Sequence, residues 1–230
     1  MQINILQRGE ENKAKGLVVV IDVFRAFSTT CYIYENGAQK IIPVGEIELA
    51  YDLKKQNNEY ILMGERNGYI QPGFDYGNSP WENRNVDFNG KTVVLTTTSG
   101  TQGIIKVKDI ADEIITGSFV NAGAVINYIK HKNPNNVSLL CTDTPNNPAR
   151  DEDMVCAKYI KNELTGEKND FSKIKEHLQN DGPGDDFFDV SVTSRPKEDF
   201  ELCLDLNKFN FVTKVELDEN GTLYLKKIMV

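Results

Sequence analysis

Along the chain, short runs of consecutive apolar residues alternate with stretches in which apolar residues recur every three or four positions. Leu17–Ile21 is apolar throughout, as a strand covered on both faces requires. Residues 24–35 can continue as a helix, which Gly37 would stop. Residues 38–44 and 60–63 predict two more strands. Between them, residues 47–56 carry Leu49 and Leu53 at i, i+4 and predict an amphipathic helix. From 64 to 90 neither period survives, and Gly, Asn, Pro and aromatic residues dominate; ordered loops of that length more often serve function than mere connection. Alternation resumes with a strand at 92–96, a helix from about Thr101, a strand at 113–116 and a helix over 121–131 with Val125 and Ile129 inward. A strand at 137–141 and a helix over 151–164 follow. Repeated strand–helix units predict an α/β fold with a largely parallel (mixed) sheet. Residues 166–186 are polar and predict an exposed excursion. Residues 200–206 and 211–228 alternate around Asp218-Glu219-Asn220-Gly221 and predict a C-terminal antiparallel hairpin. The expectation is one α/β domain over 1–230, with a β-rich part at 200–230.

Four of the apolar runs end abruptly in polar residues. Val18 to Ile21 runs into Asp22, Val23, Phe24 and Arg25, and residues 93–95 run into Thr96, Thr97, Thr98, Ser99 and Gly100. Ile114 and Ile115 lead to Thr116, Gly117 and Ser118, and residues 137–141 lead to Thr142 and Asp143. Ligands of open α/β sheets gather beyond the carboxyl ends of the strands, so all four ends are expected to face one crevice.

Charge narrows what that crevice can bind. A net charge of -8 over 230 residues argues against wide contact with nucleic acid or an anionic membrane. An anionic substrate must then be met by a local cation, a helix N-terminus or a metal ion. No apolar run approaches the ~20 residues of a membrane helix, and the first residues lack a secretory pattern, so a cytoplasmic protein is expected. Cys31, Cys141, Cys156 and Cys203 have no metal-type spacing and read as free buried thiols. Assembly as a homodimer is compatible with this reading.

Asp22 at a strand end can hold Mg²⁺, and Arg25 can clamp a phosphate through two parallel hydrogen bonds; a pair that merely caps the next helix is the plainer alternative. Thr97, Thr98, Ser99 and Gly100 place hydroxyls and amides at a helix start, where phosphate or sulfonate oxygens bind well, although a cap would need only one hydroxyl. Ser118 and Asn121 bracket a second candidate anion-binding turn. Glu152 and Asp153 open a helix: their acidity suits its dipole, and their sheet edge also makes them candidate Mg²⁺ ligands beside Asp22. Glu65 and Arg66 pair the charges a metal–phosphate site uses. His131 and His177 fall in polar stretches away from these loops.

Together, Ile21-Asp22-Val23-Phe24-Arg25-Ala26, Gly64-Glu65-Arg66, Gly73-Phe74-Asp75-Tyr76-Gly77-Asn78-Ser79-Pro80, Thr96 to Gly100, Gly117 to Ala122 and Glu152-Asp153-Met154-Val155-Cys156-Ala157 resemble the 2-phosphosulfolactate phosphatase family. The blocks run in family order from near residue 17 to near 160; beyond about 165 the match is weak. The resemblance implies a three-layer α/β fold and a Mg²⁺-dependent hydrolysis of phosphosulfolactate to sulfolactate and phosphate, which in methanogens serves coenzyme M synthesis. Asp22, Glu65, Glu152 and Asp153 match its acidic positions. Arg25 and residues 97–100 match its anion-binding segments, and Asn78 lies in one of its two specific blocks. Two alternatives stand beside it: a cysteine hydrolase of isochorismatase type using Asp22 and Cys141, and a non-catalytic anion-binding module.

Overall fold

The computed structural model describes residues 1–142 and 151–230. Among the described residues nine strands form one sheet: β1 (Gln2–Leu6), β2 (Leu17–Ile21), β3 (Lys40–Pro43), β4 (Ile61–Gly64), β5 (Thr92–Thr96), β6 (Glu113–Gly117), β7 (Asn136–Cys141), β8 (Phe211–Leu217) and β9 (Leu223–Met229). Their spatial order is β1-β7-β2-β6-β8-β9-β3-β5-β4. The first four in space are mutually parallel, as are the last three. The β8–β9 hairpin enters between these halves and pairs antiparallel on both sides. Three successive antiparallel pairings leave β3, β5 and β4 running opposite to β1, β7, β2 and β6. In a flat sheet the carboxyl ends of the halves would lie on opposite edges.

Curling of the sheet brings them together, and the reason lies in helix α1 (Ala26–Glu35). Nine of its ten residues, Ala26 through Tyr34, are buried, the mark of a helix enclosed on every side. One face of all nine strands joins α1 in a single apolar cluster, including Leu6, Val20, Ile41, Met63, Leu95, Ile114, Leu140, Phe211 and Leu225. Helix α3 (Gly100–Val107) adds Ile104 and Val107 to the same concave side. The opposite face of β2, carrying Leu17, Val19 and Ile21, packs against α4 (Ala122–Lys132) and α5 (Glu152–Thr165). Helix α2 (Ile47–Gln56) covers Ile42, Leu62 and Val94 on the outer face of the other half. An apolar strand with period-2 side-chain direction thus feeds two cores at once. Layers of helix, sheet and helix result, in a mixed α/β fold that closes with an antiparallel hairpin.

Two predicted segments differ. Residues 166–186 contain α6 (Phe171–Asn180), whose Leu178 is fully buried and whose Phe171 ring stands 5.2 Å from that of Phe119. Its polar composition reflects one solvated face, and the few apolar positions suffice to dock it. Residues 200–206 do not belong to the hairpin: α7 (Lys197–Cys203) occupies that stretch. Phe200 and Cys203, buried at i, i+3, fit a helical period that a seven-residue window does not separate from alternation. Strand β1 is not among the predicted elements, although Gln2-Ile3-Asn4-Ile5 alternates polar and apolar residues. Asp143 and the rest of the Pro- and Asn-rich loop lie outside the described residues. Among the described residues no helix is long and apolar enough to cross a membrane.

Candidate active site

A cavity of about 320 Å³ opens where the carboxyl ends of β2, β4, β5 and β7 converge. Asp22 begins the turn from β2 into α1, and its Oδ1 accepts a hydrogen bond from the Ala26 amide at 2.8 Å. The Phe24–Arg25 peptide in this turn is cis. Arg25 lines the cavity while donating from Nη1 to Asp199 Oδ2 at 2.6 Å. Asp199, wholly buried on α7, also accepts from Ser79 Oγ at 2.8 Å and from the Trp81 amide at 2.9 Å. The Gly-Phe-Asp-Tyr-Gly-Asn-Ser-Pro segment is therefore anchored to the same carboxylate that holds Arg25.

On the other half of the sheet, Gly64 ends β4 at φ +136°, and a Cβ there would lie 1.8 Å from the Thr96 carbonyl oxygen. Only glycine permits that approach. Glu65 follows, lining the cavity, with Oε1 accepting from the Thr98 amide (2.7 Å) and Oε2 from the Gly68 amide (2.7 Å) and Thr98 Oγ1 (2.8 Å). Both oxygens thus clamp two loops. Arg66 turns away from the cavity and donates to the Gly45 carbonyl and Thr96 Oγ1, each at 2.7 Å.

The Thr-rich loop enters the site differently from a phosphate cradle. The Thr97 amide donates to Thr101 Oγ1, the Thr101 amide to Thr97 Oγ1 and the Thr98 amide to Glu65. Thr97 is buried in this reciprocal cap, whereas Thr98 and Ser99 line the cavity. Gly100 starts α3 so close to α1 that a Cβ would lie 2.7 Å from Asp22 Oδ2 and 2.8 Å from Ala26 Cβ.

Helix α5 contributes its first turn. Glu152 lines the cavity. Asp153 is instead a splice between strands: Oδ1 accepts from the Val23 amide at 2.8 Å, and Oδ2 from the Thr142 amide (2.9 Å) and hydroxyl (3.1 Å). His177 pairs with Asp151 at 3.0 Å, outside the cavity lining.

The fourth strand end, after β6, does not reach the cavity. Asn121 Oδ1 accepts from the Ser118 amide at 3.0 Å, and both residues are buried against α4 and β8 without lining it. The Ser118 amide and the Asn121 side chain are spent within this turn and on the Thr116 and Phe211 carbonyls, and the Ser118 hydroxyl, buried with no partner among the described residues, is not part of the cavity lining. Cys141 is buried at the end of β7 and is likewise absent from the lining, so the cysteine-hydrolase alternative lacks a nucleophile at the site. Two contributors had no clear sequence signal: Asp199, and Arg195, whose side chain reaches the cavity from the segment preceding α7.

The donors suit a hard divalent cation. Asn78 is 5 % exposed and lines the cavity, yet its Oδ1 has no hydrogen-bond partner among the described residues. Burial pushes the Asp22 carboxyl up to about 8, and the charges of Asp153 and Glu65 add to the rise. Crowded acidic oxygens beside an unsatisfied amide oxygen are a setting that a cation relieves. Among the described residues no group of three or more His, Cys, Asp or Glu is placed to hold a metal ion by itself. Mg²⁺ in particular keeps several waters and takes one or two carboxylates, completing its shell from substrate phosphate.

A family model described as 2-phosphosulpholactate phosphatase matches residues 3–218. A relative from Carboxydothermus hydrogenoformans, named "Probable 2-phosphosulfolactate phosphatase", is 34% identical over 231 residues, covering 95% of each chain. One of the same name from Caldanaerobacter subterraneus is 35% identical over 213 residues, covering 86% of this chain and 87% of that one. A third, from Thermotoga petrophila, reaches 48% identity over 126 residues, where the match spans 55% of this chain and 53% of the relative's length, about half of each.

Proposed function

The chain belongs to the 2-phosphosulpholactate phosphatase family, and on that footing we propose that it hydrolyses 2-phosphosulfolactate to sulfolactate and inorganic phosphate with the aid of Mg²⁺. The observation that carries this reading is the meeting of Asp22, Glu152 and Asn78 with Arg25 and Ser99 in one small cavity. Oxygen donors for a cation stand beside a cation for a phosphate.

The water oxygen forms a new P–O bond as the ester P–O bond breaks; one proton of the water ends on the sulfolactate hydroxyl and the other stays with phosphate. Mg²⁺ held by Asp22, Glu152 and Asn78 Oδ1 would neutralise phosphate charge and make the attacking water more acidic. Arg25, oriented by Asp199, binds the equatorial phosphate oxygens through the remaining donors of its guanidinium fork. Ser99 adds a hydroxyl at the start of α3. Glu65 fixes the Thr98 turn that carries Ser99. The proton leaving the water has Asp22 and Glu152 to accept it; Asp153 is excluded from that role because its oxygens hold the Val23 and Thr142 backbone. Phe24, packed 4.9 Å from the Phe187 ring, walls one side of the cavity and limits bulk water.

The decisive experiment is phosphate release from 2-phosphosulfolactate by wild type and Asp22→Asn, with and without Mg²⁺. Metal-dependent turnover that disappears in the variant is expected. Absence of release with every divalent metal would return the site to the role of an anion-binding module.

A further inference from the structure

The substrate just proposed carries three acidic groups, and only one of them is the phosphate. With the turn at Ser118 and Asn121 removed from the cavity, the remaining carboxylate and sulfonate need another partner. Resting on that reading, we propose that Arg195 is the specificity-determining residue that binds a non-transferred anionic group of the substrate.

Among the described residues, Arg195 is the second guanidinium lining a cavity of about 320 Å³. Arg25 is engaged by the buried Asp199, which fixes its place and offsets much of its charge. The cavity also holds Asp22, Glu65 and Glu152. A polyanionic ligand therefore needs more positive charge than Arg25 supplies, even with one divalent cation at the phosphate.

The position of Arg195 is built. Its Nη1 lies 3.0 Å from Asp186 Oδ2, and its guanidinium stands 5.7 Å from the Phe187 ring centroid. Phe187 in turn packs edge-on to Phe24, next to Arg25. The neighbouring Ser194 rests near Gly68, where an added Cβ would stand 3.3 Å from its Oγ. The segment bearing Arg195 is thus docked on the loops after β2 and β4, both of which border the cavity. The planar guanidinium fork matches carboxylate and sulfonate oxygens alike.

The test compares wild type, Arg195→Ala and Arg195→Lys on three phosphate monoesters: 2-phosphosulfolactate, 2-phospholactate, which lacks the sulfonate, and glycerol 2-phosphate, which lacks both extra anions. Arg195→Ala is expected to lose about 10- to 100-fold in kcat/KM on 2-phosphosulfolactate, chiefly through KM, and less than about threefold on glycerol 2-phosphate. Arg195→Lys should recover part of the loss. If 2-phospholactate follows the full substrate, the group bound is the carboxylate; if it follows glycerol 2-phosphate, it is the sulfonate. Equal losses on all three esters, or none on 2-phosphosulfolactate, would overturn the assignment. Should wild type turn over no 2-phosphosulfolactate, the substrate reading fails by itself. Calorimetric binding of that compound to wild type and Arg195→Ala then decides the subsite, equal affinities counting against it.

Discussion

Arg25 and Asp199, 174 residues apart in sequence, form a buried ion pair with 2.6 Å between Nη1 and Oδ2. Asp199 does more than neutralise a charge. Through its other oxygen it holds Ser79 and Trp81, so one carboxylate ties the turn after β2, the segment after β4 and α7 into one frame. Arginine placed this way presents a fixed fork to a phosphate, with less loss of side-chain freedom on binding than an unanchored one.

Truncating Asp199 should therefore damage both stability and turnover. Asp199→Ala leaves a buried guanidinium, a hydroxyl and an amide without their acceptor; removing one partner of such a pair costs about 3–5 kcal/mol and should lower Tm by about 10 °C. Asp199→Asn, which keeps an acceptor oxygen, should lose less stability yet still reduce kcat/KM, because Arg25 is no longer held by charge. Calorimetric unfolding with steady-state kinetics checks both, and a wild-type Tm in Asp199→Ala would refute the frame.

Without divalent metal, Asp22 should make the protein less stable as pH rises. Its folded-state pKa, about 8, lies above the ordinary carboxyl value because burial and the neighbouring Asp153 and Glu65 disfavour its charge. Between about pH 4 and about pH 8 the native state keeps a proton that the unfolded chain gives up, so the stabilisation present below that window is lost across it. Asp22→Asn abolishes this loss while preserving an oxygen for the Ala26 amide. Its Tm advantage over wild type should be near zero at pH 4 and reach at least about 3 °C by pH 8. Parallel pH profiles of the two proteins would contradict this.

Adding Mg²⁺ should reverse that trend in wild type alone. A cation held as proposed by Asp22, Glu152 and Asn78 would bind only the folded state, so stability should rise with concentration, by about 2.7 kcal/mol at a hundredfold excess over Kd. Binding also displaces the Asp22 proton, so the Tm gain should be larger at pH 8 than at pH 5. Asp22→Asn and Asn78→Ala should respond weakly, and an equal response in all three would place the cation elsewhere.

Local patterning made much of this legible. Leu17–Ile21, Ile47–Gln56 and Thr92–Thr96 coincide with β2, α2 and β5 because burial on a pleat or a helical face leaves its period in the residues themselves. Asp22, Arg25, Glu65 and Glu152 were recognisable as candidates because each stands directly after a strand or at a helix start. The sheet order was not legible: nothing near residues 211–229 indicates that the hairpin inserts between β6 and β3. Asp199 was hidden for the same reason, since its partners Arg25, Ser79 and Trp81 lie more than a hundred positions away, and so was Arg195, whose nearest contacts, Asp186 and Phe187, are local but whose cavity is built mostly by distant strand ends. Glu65, Asp153 and Asn121 show the converse limit. A polar residue near a site and one that bonds backbone beside it look alike until the partners are known.

Gly100 offers the sharpest test that the two halves of the sheet meet at the chemistry. It follows β5, whereas Asp22 and Ala26 follow β2, and an added Cβ would lie 2.7 Å from Asp22 Oδ2 and 2.8 Å from Ala26 Cβ. Neither neighbour can yield easily: Asp22 is tied to the Ala26 amide, and Ala26 is enclosed in α1. Gly100→Ala must therefore push α3 away from α1 and displace the Asp22 carboxylate. Overpacking of this kind costs about 1–3 kcal/mol, a fall in Tm of several degrees. Turnover should fall further than stability implies, by at least about tenfold, because a displacement near 1 Å at a reacting group is costly. Gly90→Ala is the control: it too replaces a glycine, one in a loop at φ +69°, but its Cβ would meet nothing within 4 Å, so it should lose stability without a comparable loss of kcat. If Gly100→Ala instead retains full turnover, Asp22 and the start of α3 are not joined at the site in the working enzyme.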